Sequence, residues 1–194
     1  MPIRVFTEEE KQEIRVKMLS AGMKLIKQYG LLHTSVAKIT DAAGIGKSTF
    51  YNFYTSKEIF VIDLIKYERN RMMDYFQSML GGRDKISVEE AKEFLKLIIF
   101  HQDSIYQYLT EEDLETLYPV MEEQGMIEED LHSDTPAFLF SHFEGINPKA
   151  DKKVFVNMLR IMALTISQKE ALHQEVLDET YDLMFESLFG YIFI

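Results

Sequence analysis

The chain has 194 residues, of which 46% are hydrophobic and none is Cys. It can therefore bury a core, but it can form neither a disulfide framework nor a thiolate metal site. No run of about 18 apolar residues occurs, which excludes a membrane span. The absence of Cys fits a protein of the reducing cytoplasm, which is the predicted location.

The net charge of −11 argues at first against a polyanionic partner, but its distribution reverses that argument. Residues 1–58 hold nine Lys/Arg and six Asp/Glu, whereas residues 59–194 hold twelve Lys/Arg and twenty-six Asp/Glu. Such an asymmetry indicates nucleic-acid contact by the basic part. The acidic remainder is interpreted as solvated helix faces.

The first predicted helix runs from Thr7 to Gln28. Thr7 and Glu10 have the spacing of a capping box, in which each side chain bonds the backbone amide of the other residue. The apolar stripe of this helix consists of Ile14, Met18, Ala21, Leu25 and Ile26, and Gly30 ends it.

Residues 34–57 predict a helix, a tight turn and a second helix. Ser35 can cap a short helix from Val36 to Ala43, and Gly44 supplies the left-handed residue that ends it. The apolar face of this helix is predicted to consist of Val36, Ile39, Ala42 and Ala43. The second helix begins at Lys47 and runs to about Tyr54, and a corner of this kind is the helix-turn-helix arrangement, whose second helix can enter the major groove of DNA.

This stretch has three alternative interpretations. A phosphate-binding loop ending at Gly46, Lys47 and Ser48 would need Gly at position 41, where Asp41 stands, and it would need a preceding strand. The corner can also be two packed helices with no ligand. Finally, the aromatic residues of the second helix can be core, which we accept for Phe50 and Tyr54 but not for Tyr51 and Phe53, because these point to other sides of the helix.

The stretch from about Ala21 to Leu64 resembles the N-terminal domain of the TetR family of bacterial transcriptional regulators. The residues that carry this resemblance are Gly30, Thr34, Ser35, Val36, Ile39, Ala42, Ala43, Gly44, Ile45, Thr49, Phe50, Tyr51, Lys57 and Glu58. Three positions depart from the family pattern: Thr40 replaces a usual Ala, Gly46 a common capping Ser, and Phe53 a frequent Tyr or His.

The resemblance and the predicted facing of the helix together imply a set of DNA contacts. Lys47 and Ser48 begin the second helix and are the expected base readers, since Lys can donate to guanine O6 and N7. Asn52 can contact either bases or phosphates. The expected phosphate contacts, which position the protein without reading sequence, are Thr34, Ser35, Thr49, Tyr51 and Lys57.

The rest of the chain is predicted to be helical. Ser56 can cap a helix that runs to about Leu80, and in the family the matching helix connects the DNA-binding domain to the remainder. Ser87 and Glu90 form another capping box, predicted to open a helix to about Leu109. Further helices are predicted at 111–118, 120–131, 150–170 and 173–193, with Pro119 in a first helical turn, while 133–148 is left unassigned.

The last two helices are apolar over more than half of their girth. The helix at 150–170 carries two adjacent stripes, one through Val154 and Ile161 and the other through Phe155 and Met162. One small subunit cannot cover both stripes. We therefore predict a homodimer in which this helix and the helix at 173–193 form a four-helix interface with their symmetry mates, as the family arrangement also implies.

The second domain is predicted to be a chamber for a small effector, and its acidity slightly favours a cationic one. The pocket-lining candidates are Phe94, Ile98, His101, Tyr106, Tyr118, Phe138, Phe140, His142 and Phe143. For each of these residues plain core is favoured over ligand contact, because large aromatic residues dominate cores. His101, His132 and His142 match no metal signature, so no metal and no other cofactor is predicted.

The sequence thus predicts an all-α protein, with a three-helix DNA-binding domain at 1–55 and a helical effector-binding and dimerisation domain at 56–194. The predicted function is a transcriptional regulator, a repressor released from a palindromic operator by a small effector. The alternative is a helical adaptor with the same fold that does not bind DNA specifically. An enzyme is disfavoured because no nucleophile–base pair is visible. Neither the operator, nor the effector, nor the regulated genes follow from the sequence.

Overall fold

The computed structural model describes residues 6–100, 105–126, 135–167 and 169–194. Throughout these ranges the regular structure is helical, apart from two isolated β-bridges. The α-helices, labelled α1 to α9 in chain order, are Glu8–Tyr29, Val36–Ala43, Lys47–Phe53, Lys57–Leu80, Val88–Phe100, Glu111–Glu123, Thr135–His142, Lys152–Ser167 and Leu177–Ile192. The predicted all-α class is confirmed. No helix in the described ranges is long and apolar enough to cross a bilayer.

Capping chemistry sets most of the helix starts that the sequence predicted. Thr7 and Glu10 form the capping box of α1, with the Glu10 amide 3.2 Å from the Thr7 hydroxyl. Ser56 caps α4 by accepting from the amide of Ile59. The Ser87 hydroxyl accepts from the Glu90 amide, and Glu90 accepts from the Ser87 amide, immediately before α5. These local bonds satisfy amides that have no partner inside the helix.

The buried apolar residues form two clusters rather than one. The first cluster contains residues of α1, α2, α3 and α4, together with Ile105, Leu109, Leu117 and Met126 from the middle of the chain. The second cluster joins the last turns of α4 to α5, α7, α8 and α9. Helix α4 therefore belongs to both clusters, and its packing does not divide at the predicted boundary between residues 55 and 56. That boundary remains a prediction.

Two predicted helix boundaries in the middle of the chain are wrong. The helix predicted from Ser87 to about Leu109 is described from Val88 to Phe100, and Ile105–Tyr108 form a 3-10 turn, because Ile105 and Leu109 pack into the first apolar cluster. A single helix, α6, runs through the predicted break between 111–118 and 120–131 and ends at Glu123, so Pro119 lies inside a helix and not in its first turn. Residues 127–131 of the second predicted helix lie outside the described residues. Leu117 and Met121 pack into the first cluster on either side of the proline and offset the hydrogen bond that it removes.

The stretch at 133–148, which the sequence left unassigned, contains α7 and a turn that joins three parts of the chain. The amide of Ile86 donates to the carbonyl of His142, and the amide of Ile194 donates to the carbonyl of Gly145. Gly145 has a φ of 63°, which permits the turn. Helices α8 and α9 begin later than predicted, at Lys152 and Leu177, and short 3-10 turns at Lys169–Ala171 and Gln174–Val176 lie between them.

Candidate nucleic-acid interface

Helices α2 and α3 meet in the corner that the sequence predicted. The Ser35 hydroxyl accepts from the amide of Lys38 at 3.3 Å, which caps α2. Gly44 ends α2 with a φ of 68° and a ψ of 35°, the left-handed conformation. The amide of Ile45 then donates to the carbonyl of Thr40 at 2.9 Å and closes the turn. Gly46 precedes α3 and provides no side-chain cap.

The inward face of α2 differs by one residue from the prediction. Ile39 and Thr40 are buried, whereas Ala42 is exposed. At 3.6 residues per turn, position 40 lies beside positions 36 and 43, and position 42 lies well off that face. The Thr40 hydroxyl donates to the carbonyl of Ala37 at 2.9 Å, so this polar side chain is satisfied inside the corner.

Helix α3 presents a polar face to solvent and an aromatic face to the core. Phe50 is fully buried and its ring lies 5.6 Å from that of Phe60. Tyr54 follows the last turn of α3 and is also buried. Phe53 is half-exposed, and the other side chains left exposed or half-exposed on α3 are Lys47, Ser48, Thr49, Tyr51 and Asn52.

The charge around this face suits an anionic partner. Residues 27–57 contain four Lys and a single Asp, and α3 itself contains no acidic residue. Tyr51 is 55% exposed, although it is aromatic, because it lies about 100° around the helix from the buried Phe50. An exposed aromatic hydroxyl beside Lys side chains can donate to phosphate oxygens.

Two of the predicted phosphate contacts have partners within the protein. Thr34 is fully buried and its hydroxyl donates to the carbonyl of Gly30 at 2.8 Å. This placement gives Thr34 a structural role in the turn after α1. The predicted phosphate contact of Thr34 is therefore wrong, because its hydroxyl is not presented to solvent. Lys57 is half-buried and its Nζ donates to the carbonyl of Leu31 at 3.2 Å, which joins α4 to the same turn. Ser35, the residue after Thr34, is exposed.

Sequence reasoning missed one basic side chain of the corner. Lys38 is exposed on α2, with its Nζ 2.9 Å from the carbonyl of His33 and 5.0 Å from the centre of the Tyr29 ring. The signal was present in the sequence, since Lys38 stands three residues after the capping Ser35, in the first turn of α2. Lys38 therefore joins Lys47 and Lys57 as a candidate contact to DNA.

A hydrogen-bonded network lies behind the corner. Arg15 of α1 donates to both carboxylate oxygens of Asp63 of α4, at 2.6 and 2.7 Å, and the Tyr54 hydroxyl donates to the same carboxylate at 2.7 Å. Burial raises the pKa of the Tyr54 phenol, and its hydrogen bond to Asp63 raises it further. The hydrogen bond to Asp63 also raises the pKa of Arg15. The Tyr54 phenol and the Arg15 guanidinium therefore both keep their protons near neutral pH.

The predicted pocket residues are only partly brought together. Phe94, Phe138, His142 and Phe143 surround the Phe76 ring in the second apolar cluster, with centroid distances from 4.8 to 6.3 Å. Ile98 packs against the same cluster, and Phe140 contacts Phe155. Tyr118 is separate from them, because it is 56% exposed on α6, whose apolar side belongs to the first cluster.

The structure tests only some of the predicted histidine and tyrosine candidates. His101 and His132 are outside the described residues, and the side chain of Tyr106 is likewise not described. His142 contacts the carbonyl of Phe138 through Nδ1 at 2.7 Å. Within the described ranges, no three His, Asp or Glu side chains are grouped in a way that could hold a metal ion.

Comparison with known proteins places this architecture in the class of DNA-binding transcriptional regulators. Residues 18–64 match the family model described as bacterial regulatory proteins, tetR family. The chain therefore carries a TetR-family N-terminal domain, and the resemblance predicted from the sequence is confirmed. No curated protein sequence matches the chain.

Solved structures of TetR-family and related regulators share the fold over nearly the whole chain. The fatty acid degradation regulator FadR from Bacillus halodurans is 17% identical, with 90% of this chain and 97% of that chain covered and a TM-score of 0.54. NalD from Pseudomonas aeruginosa, the secondary repressor of the MexAB-OprM multidrug efflux pump, is 16% identical over 95% and 98%, with a TM-score of 0.51. A TetR-family regulator from Marinobacter aquaeolei VT8 is 14% identical over 96% and 99%, with a TM-score of 0.51. At these identities the likeness shows a common fold.

Proposed function

We propose that the protein is a homodimeric transcriptional repressor of the bacterial cytoplasm, in which α3 reads a palindromic operator and a small effector releases the DNA. The observation that carries the proposal is the exposed polar face of α3, which follows a Gly44 corner in a basic segment and contains no acidic residue. A helix presented in this way can enter the major groove, with its first residues at the base edges.

The proposed roles follow from the position of each side chain. Lys47 and Ser48 stand at the exposed start of α3 and are assigned to base readout, with Asn52 one turn further on. Ser35, Lys38, Thr49, Tyr51 and Lys57 are assigned to phosphates. Lys57 would exchange or share its hydrogen bond to the carbonyl of Leu31 when a phosphate approaches.

The proposed dimer places uncovered apolar side chains of α8 and α9 in the interface. Ile161 and Leu164 of α8 are 54% and 61% exposed, and Leu183 of α9 is 63% exposed. The other stripe of α8 is the one that packs inward, with Phe155 and Met162 each 1% exposed. Exposed large residues on two adjacent helices are expected where a symmetric partner covers them.

The proposed effector acts through helix α4. This helix begins beside the corner, where Lys57 bonds the turn after α1, and its last turns lie in the second apolar cluster with Phe76 and Leu80. A ligand that binds one arrangement of the second cluster better than another would shift the spacing of the two α3 helices in the dimer. The proposed site for it is the aromatic group around Phe94, Phe138 and His142, with Ile98 at its edge.

A DNA titration at two salt concentrations tests the proposal. The purified protein is titrated against labelled DNA from upstream of its own gene and against random DNA of equal length. We expect preference for the upstream DNA and an affinity that falls as salt rises, since bound Lys side chains release counterions. Lys149→Ala is the control for a general effect of positive charge. It removes an exposed Lys far from the corner in sequence and should leave the affinities for both DNAs unchanged.

The other outcomes separate the alternatives. An absence of binding to either DNA at low salt would contradict the proposal and favour the adaptor reading of the same fold. Equal binding to both DNAs would retain DNA binding and place the operator elsewhere, to be found by selection from random sequences.

A further inference from the structure

Helix α3 is attached to the rest of its domain at its C-terminal end by more than apolar packing. Tyr54 follows Phe53, the last residue of α3, and its amide still donates to the carbonyl of Phe50 at 3.0 Å. The Tyr54 backbone is therefore fixed to the last turn of α3, and an anchor on its side chain restrains that end of the helix. Its ring is 5% exposed and packs against Phe50 and Phe60, with ring centroids 5.3 and 5.2 Å away.

The hydroxyl of Tyr54 reaches a carboxylate that is itself held by a second helix. It donates to Oδ2 of Asp63 at 2.7 Å, and Arg15 donates to both oxygens of that carboxylate through Nε and Nη2. The two hydrogen bonds from Arg15 are parallel, a geometry that fixes orientation as well as distance. The side chains of Arg15 and Asp63 are 28% and 23% exposed, so water competes only weakly for these bonds.

The Arg15 guanidinium also lies over an aromatic ring. The Tyr67 ring, one helical turn beyond Asp63 on α4, lies 5.9 Å from the Arg15 guanidinium carbon. Arg15 is thus held between a carboxylate and an aromatic face. Three helices, α1, α3 and α4, meet at a single carboxylate, while the opposite face of α3 is the one assigned to DNA.

We propose that Arg15, Asp63 and Tyr54 are positioning residues for DNA recognition: the network holds α3 at a fixed angle to α4 so that its exposed face docks without reorganisation. This inference rests on the proposed function. It assigns to the Tyr54 hydroxyl a task that a Phe at the same position, with the same ring packing, could not perform.

The substitution Tyr54→Phe tests the inference because it removes a single hydroxyl and keeps the ring. A hydrogen bond to a charged group shifts an equilibrium by roughly tenfold or more. We therefore expect about tenfold faster amide hydrogen exchange in α3, with exchange of the buried interior of α1 unchanged. The matched control is Tyr75→Phe, which makes the same chemical change at a residue of α4 that is 47% exposed.

DNA binding supplies the second readout. Tyr54→Phe should weaken binding to the preferred DNA by about tenfold and leave binding to random DNA nearly unchanged, because phosphate contacts need less exact placement than base contacts. Asp63→Asn removes the negative charge that holds both donors and should act in the same direction more strongly. Should Asp63→Asn fail to fold, Tyr54→Phe still decides the matter.

The outcomes distinguish this inference from the proposed function. Unchanged exchange in α3, or equal acceleration in all helices, would overturn the positioning role and leave Tyr54 as an ordinary stabilising residue. If the wild-type protein binds no DNA but Tyr54→Phe still loosens α3 alone, the proposed function fails and the network stands.

Discussion

Individual lysines of the corner have different expected tasks, which mutation can separate. Lys47 stands exposed at the first position of α3, whereas Lys57 is half-buried at the first position of α4 and bonds the carbonyl of Leu31. We expect Lys47→Ala to relax sequence preference. Lys57→Ala should instead weaken binding to all DNA similarly and flatten the salt dependence by about one unit.

The measurement is a salt series of binding curves on preferred and random DNA for each variant. Equal losses on both DNAs for Lys47→Ala would remove its base-reading role. Circular dichroism of Lys57→Ala is needed beside the binding curves, because loss of the bond to Leu31 can also loosen the turn after α1.

A second residue-scale prediction concerns acid stability. Hydrogen bonds from Arg83, at 2.8 and 3.1 Å, and a smaller contribution from the Ser87 amide together lower the pKa of Glu90 from its ordinary 4.5 to about 2. A carboxylate with a lowered pKa in the folded state contributes stability that is present above pH 4.5 and is lost as the pH falls toward 2.

We therefore expect Glu90→Gln to be less stable than the wild type at neutral pH and to lose less stability between pH 4.5 and 2. Urea unfolding at several pH values in that window gives the comparison. Glu89→Gln, at the exposed neighbouring position, is the control and should follow the wild-type pH dependence. Parallel curves for Glu90→Gln and the wild type would contradict the prediction.

At the scale of elements, the crossing of α1 and α4 depends on the absence of a side chain at Gly22. A Cβ at this position would lie 2.5 Å from Cζ of Phe60. Phe60 is fully buried between Phe50 and Tyr54, so its ring has little room to move. Gly22→Ala should destabilise the protein by about 1–3 kcal/mol through overpacking, despite the better helix propensity of Ala.

Thermal or urea unfolding measures this loss. The companion experiment introduces Gly22→Ala into the Phe60→Leu variant, in which the obstructing ring atoms are absent. Gly22→Ala should cost less stability in that variant than it does in the wild type. A stabilised single variant would show that the helices can separate without cost.

The turn between α2 and α3 depends on Gly44 for a different reason. Nothing lies within 4 Å of a Cβ placed there, but the φ of 68° is one that other L-residues adopt at a cost. Gly44→Ala should therefore destabilise the protein by about 1 kcal/mol through backbone conformation alone. Gly44→Asn, which tolerates the left-handed region better, should cost less in the same unfolding experiment.

At the scale of the whole molecule, the exposed apolar residues of α8 and α9 predict the oligomeric state. The chain has a mass of 22.7 kDa, and sedimentation equilibrium at micromolar concentration should give about twice that value. Leu183→Glu should shift the protein to monomer, because the introduced charge would be buried in the interface without a partner. Loss of the dimer should also abolish binding to a two-half-site operator, since two copies of α3 must meet sites about 34 Å apart.

The control for this prediction is Leu32→Glu. Leu32 is 68% exposed, as exposed as Leu183, but it lies in the turn after α1. It should leave the mass unchanged. A dimer that persists in Leu183→Glu would place the interface elsewhere. A monomeric wild type would contradict the predicted dimer.

The sequence by itself determined the features that depend on neighbouring residues along the chain. Capping at Thr7, Ser35 and Ser56, the left-handed Gly44, and the inward Phe50 all arise from bonds and periodicity within a few residues. The class of the N-terminal domain followed for the same reason, because the corner is a short, local motif with a fixed spacing.

Only the tertiary structure decided the features that depend on what a segment packs against. The continuous α6 around Pro119 and the inward side of Ile105 follow from an apolar cluster to which distant parts of the chain contribute. The meeting of Arg15, Asp63 and Tyr54 likewise needs three helices at one place. Periodicity shows that a helix has an apolar face, but burial against a partner far along the chain depends on the shape of the whole molecule.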